Sequence, residues 1–377
     1  MDGGLRVPGP PGQLAERHRA PLRERHQDAE RAIHRSTPVR LSRTHAWTIL
    51  RAVATMARMP LVSVVQATPV PDDPGATVDK VGELVGAARA EGAELCLLPE
   101  AFVGGYPKGS TFGGYVGGRT DAGREEFGRY WESAITVPGP EAGRLAEVAR
   151  SNRVHLVVGV VERAGGTLYC AVLTFGPDGA LVGKRRKLMP TGAERMVWGF
   201  GDGSTLQVHD TALGRLGAVI CWENYMPLLR TTMYHKGIEI YCAPTADGRP
   251  TWVSTMRHIA VEGRCFVLSC NQFARRSDFP AHQQNLVGAQ PDDVVATGGS
   301  CIVGPLGEIL AGPAWDGEQT LFAEIDLAAL PRARYDFDAV GHCARPDVFR
   351  LTVDQTVREA VAYASDQDPT ADPRSTR

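Results

Sequence analysis

The rhythm of apolar and polar positions changes near residue 60. Residues 1–58 show little apolar periodicity, whereas beyond them short apolar runs alternate with helical stripes. Residues 61–67 read as a strand, and 78–90 as an amphipathic helix with Val78, Val81, Leu84, Val85 and Ala88 on one face. A second strand, 94–98, ends in Pro99-Glu100 and opens onto a glycine-rich loop from Gly104 to Gly114. Helices are predicted at about 123–134 and 141–152, followed by strands at 154–161 and 168–175. The turn Pro177-Asp178-Gly179 sends the chain back along 180–187. Further strands are predicted at 206–208, 216–220, 238–243, 265–270, 300–303 and 321–325, with a helix at 250–262 and a polar loop at 283–294. Pro305-Leu306-Gly307 turns 300–303 towards a partner near Ile309. Strands that alternate with helices and also pair through tight turns predict a mixed sheet with helices on its outer face. No internal repeat appears, and no linker divides the region after residue 58. The organisation expected is therefore an extension over 1–58, one domain over 59–350, and a tail over 351–377 that frays from Asp366.

Composition narrows the class. Of 377 residues, 43% are hydrophobic and 22% charged, enough for a sizeable core. A formal net charge of −2 gives no electrostatic reason to expect nucleic acid or a membrane surface as partner. No apolar run reaches bilayer-spanning length. The eight cysteines are scattered, most of them in apolar runs, and none forms a C-x-x-C pair. That pattern argues against a zinc site and a disulfide framework, and fits a reducing, cytoplasmic compartment. The arginine-rich segment 1–58 reads as a disordered extension, or as a start placed too early with Met56 or Met59 as the true beginning. A basic nucleic-acid arm or a targeting peptide is the alternative, but acidic residues are interspersed and no hydrophobic stretch follows Met1.

Three polar residues stand where apolar runs end: Glu100, Lys187 and Cys221. Side chains converge on ligands at strand ends in open α/β sheets. Cys221 closes the run 216–220 and precedes a helical pattern opening at Tyr225, with Pro227 tolerated in the first turn. A cysteine at a helix N-terminus has N–H groups and a dipole that favour its thiolate. Glu100 can take the thiol proton and later act on water. Lys187 can stabilise the thiolate and then the charge on the former electrophile. Each residue has another reading. Cys221 could be a small buried hydrophobe. Glu100 could be a helix N-terminal acid or a solvated cap. Lys187 closes the cluster Lys184-Arg185-Arg186-Lys187, which could be a solvated face or a phosphate contact. No histidine pairs with Cys221 locally.

The segments Leu98-Pro99-Glu100-Ala101-Phe102, Arg186-Lys187-Leu188-Met189-Pro190-Thr191 and Cys221-Trp222-Glu223-Asn224 resemble the three signatures of the nitrilase superfamily. The resemblance extends over roughly 61–349. Residues 194–204 and 237–247 resemble the nitrilase branch rather than the amidase or carbamoylase branches. The resemblance implies an α-β-β-α sandwich of two mixed sheets with helices outside, and dimers that grow into spirals or filaments. It implies catalytic roles for Glu100, Lys187 and Cys221, with Glu194 as a second active-site carboxylate, and no cofactor or metal. The substrate implied is a small nitrile, converted to the acid with some amide. Lys187 and the backbone N–H of Trp222 would hold developing negative charge. Tyr106, Trp198 and Trp222 are candidates to line the substrate pocket; the other reading is ordinary core aromatics. The loop 105–113, with Gly118-Arg119-Thr120, resembles plant-type cyanoalanine nitrilases, and arylacetonitrile and aliphatic nitrilases of bacteria are also similar. Gly192-Ala193 and Ala281-His282-Gln283-Gln284-Asn285 depart from the pattern, so the nitrile stays open. The rival readings are an amidase of the same superfamily, a non-catalytic oligomer, and a nucleic-acid binder using the N-terminal arginines.

Overall fold

The computed structural model describes residues 59–280, 283, 290–358 and 361. The expectations for 1–58, for 284–289 of the polar loop, for Ala281, His282, Gln284 and Asn285, and for the end from Asp366 lie outside the described residues. The chain runs β1 (Leu61–Gln66), α1 (Pro74–Ala90), β2 (Leu95–Leu97), the small hairpin β3 (Gly114–Tyr115) and β4 (Gly118–Arg119), α2 (Asp121–Ser133) and α3 (Pro140–Asn152). It continues with β5 (His155–Ala164), β6 (Thr167–Phe175), β7 (Leu181–Arg186), β8 (Val208–Thr211), β9 (Gly214–Ala218), α4 (Pro227–His235), β10 (Ile240–Pro244) and α5 (Pro250–Gly263). It ends with β11 (Phe266–Cys270), β12 (Phe273–Arg275), β13 (Val294–Thr297), β14 (Ser300–Val303), β15 (Ile309–Ala314), β16 (Gln319–Glu324) and α6 (Ala329–Ala333).

Two six-stranded sheets form, in the orders β16-β1-β2-β5-β6-β7 and β15-β14-β11-β10-β9-β8. Each is mixed. β1, β2 and β5 are parallel in the first, and β9, β10 and β11 in the second, with antiparallel neighbours outside. β15 and β16 are consecutive yet lie in different sheets, so the chain passes from one to the other between them.

Alternation along the strands explains the layers. In β2, Leu95 and Leu97 join one apolar cluster while Cys96 and Leu98 join another. In β10, Ile240 and Cys242 share the first cluster and Tyr241 and Ala243 enter a third. The shared cluster therefore fills the space between the sheets. The second cluster packs the outer face of the first sheet under α1 and α3, through Val78, Val81, Val85 and Leu145. The third packs the other outer face under α4 and α5, through Leu229, Met233, Trp252, Met256 and Ile259. Strands buried on both faces read as unbroken apolar runs, which is why the sequence showed runs rather than alternation. The predicted α-β-β-α sandwich is the fold observed.

Boundaries shift where local chemistry decides them. Asp73 caps α1 by accepting from the Ala76 N–H at 2.8 Å, with Pro74 opening the helix, so α1 starts four residues before its apolar stripe. β9 stops at Ala218 instead of Ile220. The helical pattern expected from Tyr225 starts at Pro227 as α4, and a 3-10 turn, Cys221–Tyr225, separates it from β9. β12, β13 and the β3–β4 hairpin were not foreseen. Each of these strands is only two to four residues long, too short to leave a periodicity in the sequence.

Gly159 positions the loop after β2. A Cβ there would lie 2.2 Å from the Pro99 carbonyl oxygen, 2.6 Å from the Ala101 nitrogen and 2.7 Å from the Glu100 Cα. Gly159→Ala should therefore push the Glu100 loop off β5. Thermal denaturation should register a loss of about 1–3 kcal/mol, and kcat should fall with it. Unchanged melting and turnover would show that the loop has room to spare.

Candidate active site

Four loops at the strand ends carry the site. Glu100 follows β2, Lys187 follows β7, Cys221 follows β9 and Thr245 follows β10. Glu194 sits in a 3-10 turn, Gly192–Met196, just beyond Lys187. The two catalytic carboxylate and ammonium candidates thus come from the first sheet, and the sulfur from the second.

Alternation through β7 sorts the basic cluster into two faces. Lys184 and Arg186 reach Glu162, with Lys184 Nζ at 2.6 Å from Oε1 and Arg186 Nε at 2.7 Å from Oε2. Arg185 and Lys187 point the other way, to Glu223 and to the Glu100–Glu194 pair. The cluster is neither a solvated face nor a phosphate grip; every one of its charges meets a carboxylate.

Lys187 is fully buried at 0% exposure. Its Nζ donates to Glu100 Oε1 at 2.6 Å and to Glu194 Oε2 at 2.7 Å. Burial opposes its charge, but facing Glu100, with Cys221, Cys170 and Glu194 behind, outweighs burial and holds its pKa well above the ordinary lysine value. Its Nζ also lies 5.6 Å from the centre of the Trp198 ring. Glu194 is anchored at both oxygens: Tyr106 Oη donates to Oε1 at 2.7 Å, and the Thr191 N–H donates to Oε2 at 2.6 Å.

Glu100 is also fully buried. Cys170 Sγ adds a donor to Oε1 at 3.5 Å, and Gln272 Nε2 holds the Glu100 backbone carbonyl at 3.0 Å. Oε2 is buried and has no partner among the described residues. Burial raises the Glu100 pKa; Lys187 pulls it down, Glu194 pushes it up, and the neighbouring Cys221 pulls it down. Glu100 is thus a carboxyl poised to gain and release a proton, with one oxygen committed to Lys187 and one free.

Cys221 is 4% exposed. Its φ of +49° is a left-handed backbone held at a non-glycine residue. Ala101, next to Glu100, shows the same at φ +46°. The conformation at Cys221 is tied down by Asn224, whose Nδ2 donates to the carbonyls of Val219 at 3.0 Å and Cys221 at 2.7 Å. Thr245 Oγ1 lies 3.2 Å from the sulfur, and the Asp247 N–H donates to the same Oγ1 at 3.0 Å, which turns the hydroxyl proton towards sulfur. Burial raises the thiol pKa and the Glu100 carboxyl adds to it; Lys187, Thr245 and the Ala246 N–H oppose the rise. The expectation of a thiolate made by a helix N-terminus is corrected. The turn after Cys221 is too short for a helix dipole, and burial pushes the thiol pKa up instead of down.

A cleft of about 640 Å³ reaches this cluster, with Tyr106, Lys108, Phe112, Glu194, Val197 and Ala246 on its wall. Ala246 and Glu194 connect that wall to the sulfur and to Lys187. Of the three aromatic candidates, Tyr106 lines the cleft. Trp198 is 2% exposed beneath Lys187, bonded through Nε1 to Tyr130 Oη at 3.0 Å. Trp222 is 42% exposed and donates to Asp247 Oδ2 at 2.9 Å, under the guanidinium of Arg249 at 4.9 Å. Reading the sequence missed Thr245, Cys170, Lys108 and Gln272. Thr245 and Cys170 both lie in strand-like apolar segments, which hides their chemistry. Among the described residues no group of three His, Cys, Asp or Glu side chains gathers as a metal site.

Residues 61–335 match the carbon–nitrogen hydrolase family. The chain is 57% identical over 299 residues to an aliphatic nitrilase of Sinorhizobium fredii (strain HH103), covering 79% of this chain and 97% of that protein. It is 54% identical over 307 residues to a bifunctional nitrilase/nitrile hydratase of Nicotiana tabacum, covering 80% and 88%. With Nitrilase 1 of Arabidopsis thaliana it shares 53% identity over 309 residues, covering 81% and 89%. Among solved structures, a carbon–nitrogen hydrolase from Helicobacter pylori G27 superposes with TM-score 0.61 at 24% identity, over 77% of this chain and 97% of that one. An amidase from Nesterenkonia sp. superposes with TM-score 0.55 at 19% identity, over 74% and 94%. These two share the fold.

Iodoacetamide should alkylate Cys221 and the exposed Cys343 while sparing buried Cys96, Cys242 and Cys265, read by peptide mass spectrometry. Because burial raises the Cys221 thiol, its alkylation rate should still be climbing with pH at 9.0, the ordinary thiol value. A plateau below about pH 7 would reveal a resting thiolate instead.

Proposed function

The chain belongs to the carbon–nitrogen hydrolase family and to its nitrilase branch, and we propose that Cys221 is the nucleophile with which it hydrolyses an organic nitrile to the carboxylic acid and ammonia. The observation that carries this reading is the buried Glu100–Lys187–Glu194 cluster, with contacts of 2.6 and 2.7 Å and one Glu100 oxygen without a donor, near enough to Cys221 for each group to shift the other's pKa.

The chemistry follows from those groups. Glu100 Oε2 takes the Cys221 proton as sulfur adds to the nitrile carbon, so charge never rests on a buried, unassisted thiolate. The nitrile nitrogen, gaining an electron pair, takes a proton from the Glu100–Lys187 set and a thioimidate results. Lys187, its charge held by two carboxylates, and the Trp222 backbone N–H face the developing negative charge. Glu100 then removes a proton from water, which adds to the thioimidate carbon. Cleavage of the C–N bond releases ammonia and leaves a thioester; a second water, again activated by Glu100, breaks the C–S bond and releases the acid. Cleavage of the C–S bond one step earlier yields the amide, the branch matched by relatives named bifunctional nitrilase/nitrile hydratase. Glu194 keeps the Lys187 ammonium charged and oriented, and Tyr106 keeps Glu194 in place while presenting a ring to the cleft. No step calls for a cofactor.

The amidase reading uses the same three groups on a carboxamide. Identities of 52–57% to proteins named nitrilase favour the nitrile. Residues 59–350 form the catalytic unit in this reading. Eight free cysteines, seven of them buried, suit a reducing cytoplasm. Exposed Tyr225 and Leu228, beside the Cys221 turn, supply apolar surface for a homo-oligomer, dimeric or extended.

Ammonia release from cyanoalanine, phenylacetonitrile, small aliphatic nitriles and the matching amides tests the reading. Cys221→Ala should be folded and inert, and Glu100→Gln and Lys187→Ala should lose at least about a thousandfold in kcat. Near-normal turnover in any of the three removes that residue from the mechanism; turnover of the amides alone makes the enzyme an amidase.

Lys108 bears on which nitrile fits. It is half-buried on the cleft wall, and its ammonium makes no hydrogen bond or ion pair among the described residues. Burial lowers its pKa, while Asp247 and Cys221 act in the opposite sense. A cation there favours a nitrile carrying a carboxylate or another acceptor. Lys108→Met should raise KM for cyanoalanine about tenfold more than KM for phenylacetonitrile. Equal changes for both would place Lys108 outside substrate recognition.

A further inference from the structure

The groups proposed to act together come from different sheets, so something must hold the sheets in register at the site. Glu223, two residues after Cys221, is completely buried, with 0% of its side chain exposed. It accepts four hydrogen bonds. Arg185 Nη1 donates to Oε2 at 2.8 Å and Arg185 Nη2 to Oε1 at 3.0 Å, a bidentate pair whose arginine side chain is 6% exposed. The Leu188 N–H donates to Oε1 at 2.5 Å and the Ile220 N–H to Oε2 at 3.0 Å. Leu188 is the residue after Lys187, and Ile220 is the residue before Cys221.

One carboxylate thus grips the backbone beside the ammonium and the backbone beside the sulfur. Arg185, in β7 two residues before Lys187, orients that carboxylate and neutralises it. We propose that Arg185 and Glu223 are positioning residues that set the separation and aim of Lys187 relative to Cys221 across the two sheets. The inference rests on Cys221 as the nucleophile. Neither residue touches substrate in this arrangement. Each oxygen of Glu223 takes one bond from Arg185 and one from a backbone N–H, so the carboxylate cannot rotate towards one loop without releasing the other. The left-handed Cys221 sits directly behind the bonded Ile220 N–H, which couples the clamp to the strained residue it serves.

A buried ion pair adds little net stability relative to apolar residues of the same size, whereas removing one partner is severely destabilising. That contrast separates positioning from folding. The double variant R185M/E223M removes both charges together and leaves two backbone N–H groups without their acceptor. Arg185→Lys keeps the charge but loses the bidentate fork. For both we expect a retained cooperative thermal transition and a fall in kcat of about a hundredfold, since a displacement of about 1 Å between reacting groups has that effect. KM should stay within about twofold. The pH dependence of Cys221 alkylation should move upward by about one unit as Lys187 withdraws from sulfur. A purely structural role predicts lowered melting with wild-type kcat and an unmoved alkylation profile, and that result in either variant overturns the proposal. Should wild type itself release no ammonia from any nitrile or amide, the nucleophile reading fails; turnover by wild type with unaffected variants removes only the clamp. The alkylation profile is read without turnover, so it separates the two failures.

Discussion

An ammonium group with no access to water, held between two carboxylates, is the constraint around which the site is arranged. Stripping Lys187 of water costs several kcal/mol, and the contacts to Glu100 and Glu194 offset that cost only while both geometries hold. The cluster also divides labour between its acids. Glu194 has its oxygens occupied by Tyr106, Thr191 and Lys187, whereas Glu100 keeps one oxygen without a donor. The acid with the free oxygen is the one pushed upward by burial, and it lies beside the sulfur. Dehydration therefore does two things at once. It makes the ion pair demanding of exact contacts, and it turns one carboxyl into a base matched to a buried thiol.

The surroundings of the Cys221 thiol work against its ionisation. Burial and the neighbouring carboxylate raise the thiol pKa, and the short turn after Cys221 offers no dipole to lower it. In the proposed mechanism activation comes with the reaction, as proton transfer to Glu100 accompanies attack. Thr245, fixed by the Asp247 N–H, and the Ala246 N–H are in place to receive charge on sulfur as it forms.

The sandwich explains how residues so far apart in the chain meet. Each sheet has three parallel strands at its centre, and loops leaving their ends converge where the two sheets face each other. The acid and the amine come from one sheet and the sulfur from the other, so catalytic distances depend on the packing between sheets. Apolar packing fixes that distance only to the tolerance of side-chain repacking. Hydrogen bonds that cross between the sheets, donated by Gln272 to the Glu100 carbonyl and by the Leu188 N–H and Arg185 to Glu223, supply direction as well as distance.

Most of the strands, the outer helices and the three signature residues could be read from the chain alone. Apolar runs mark strands buried on both faces, and Glu100 and Cys221 stand at the ends of such runs, whereas Lys187 closes the partly exposed, basic strand β7. The two-sheet arrangement came only through family resemblance, because a run such as 94–98 says that both faces are covered without saying by what. Tertiary structure alone decided that the basic cluster splits into two opposed faces, that Trp198 lies beneath Lys187 instead of along the cleft, and that Thr245 and Cys170 touch the reacting groups. It also replaced the expected helix start after Cys221 with a short 3-10 turn, where burial pushes the thiol pKa up. The division has a physical cause: sequence periodicity records how each segment meets apolar surroundings, whereas charge state and hydrogen bonding depend on groups that arrive from other segments, across a sheet interface with no imprint on local pattern.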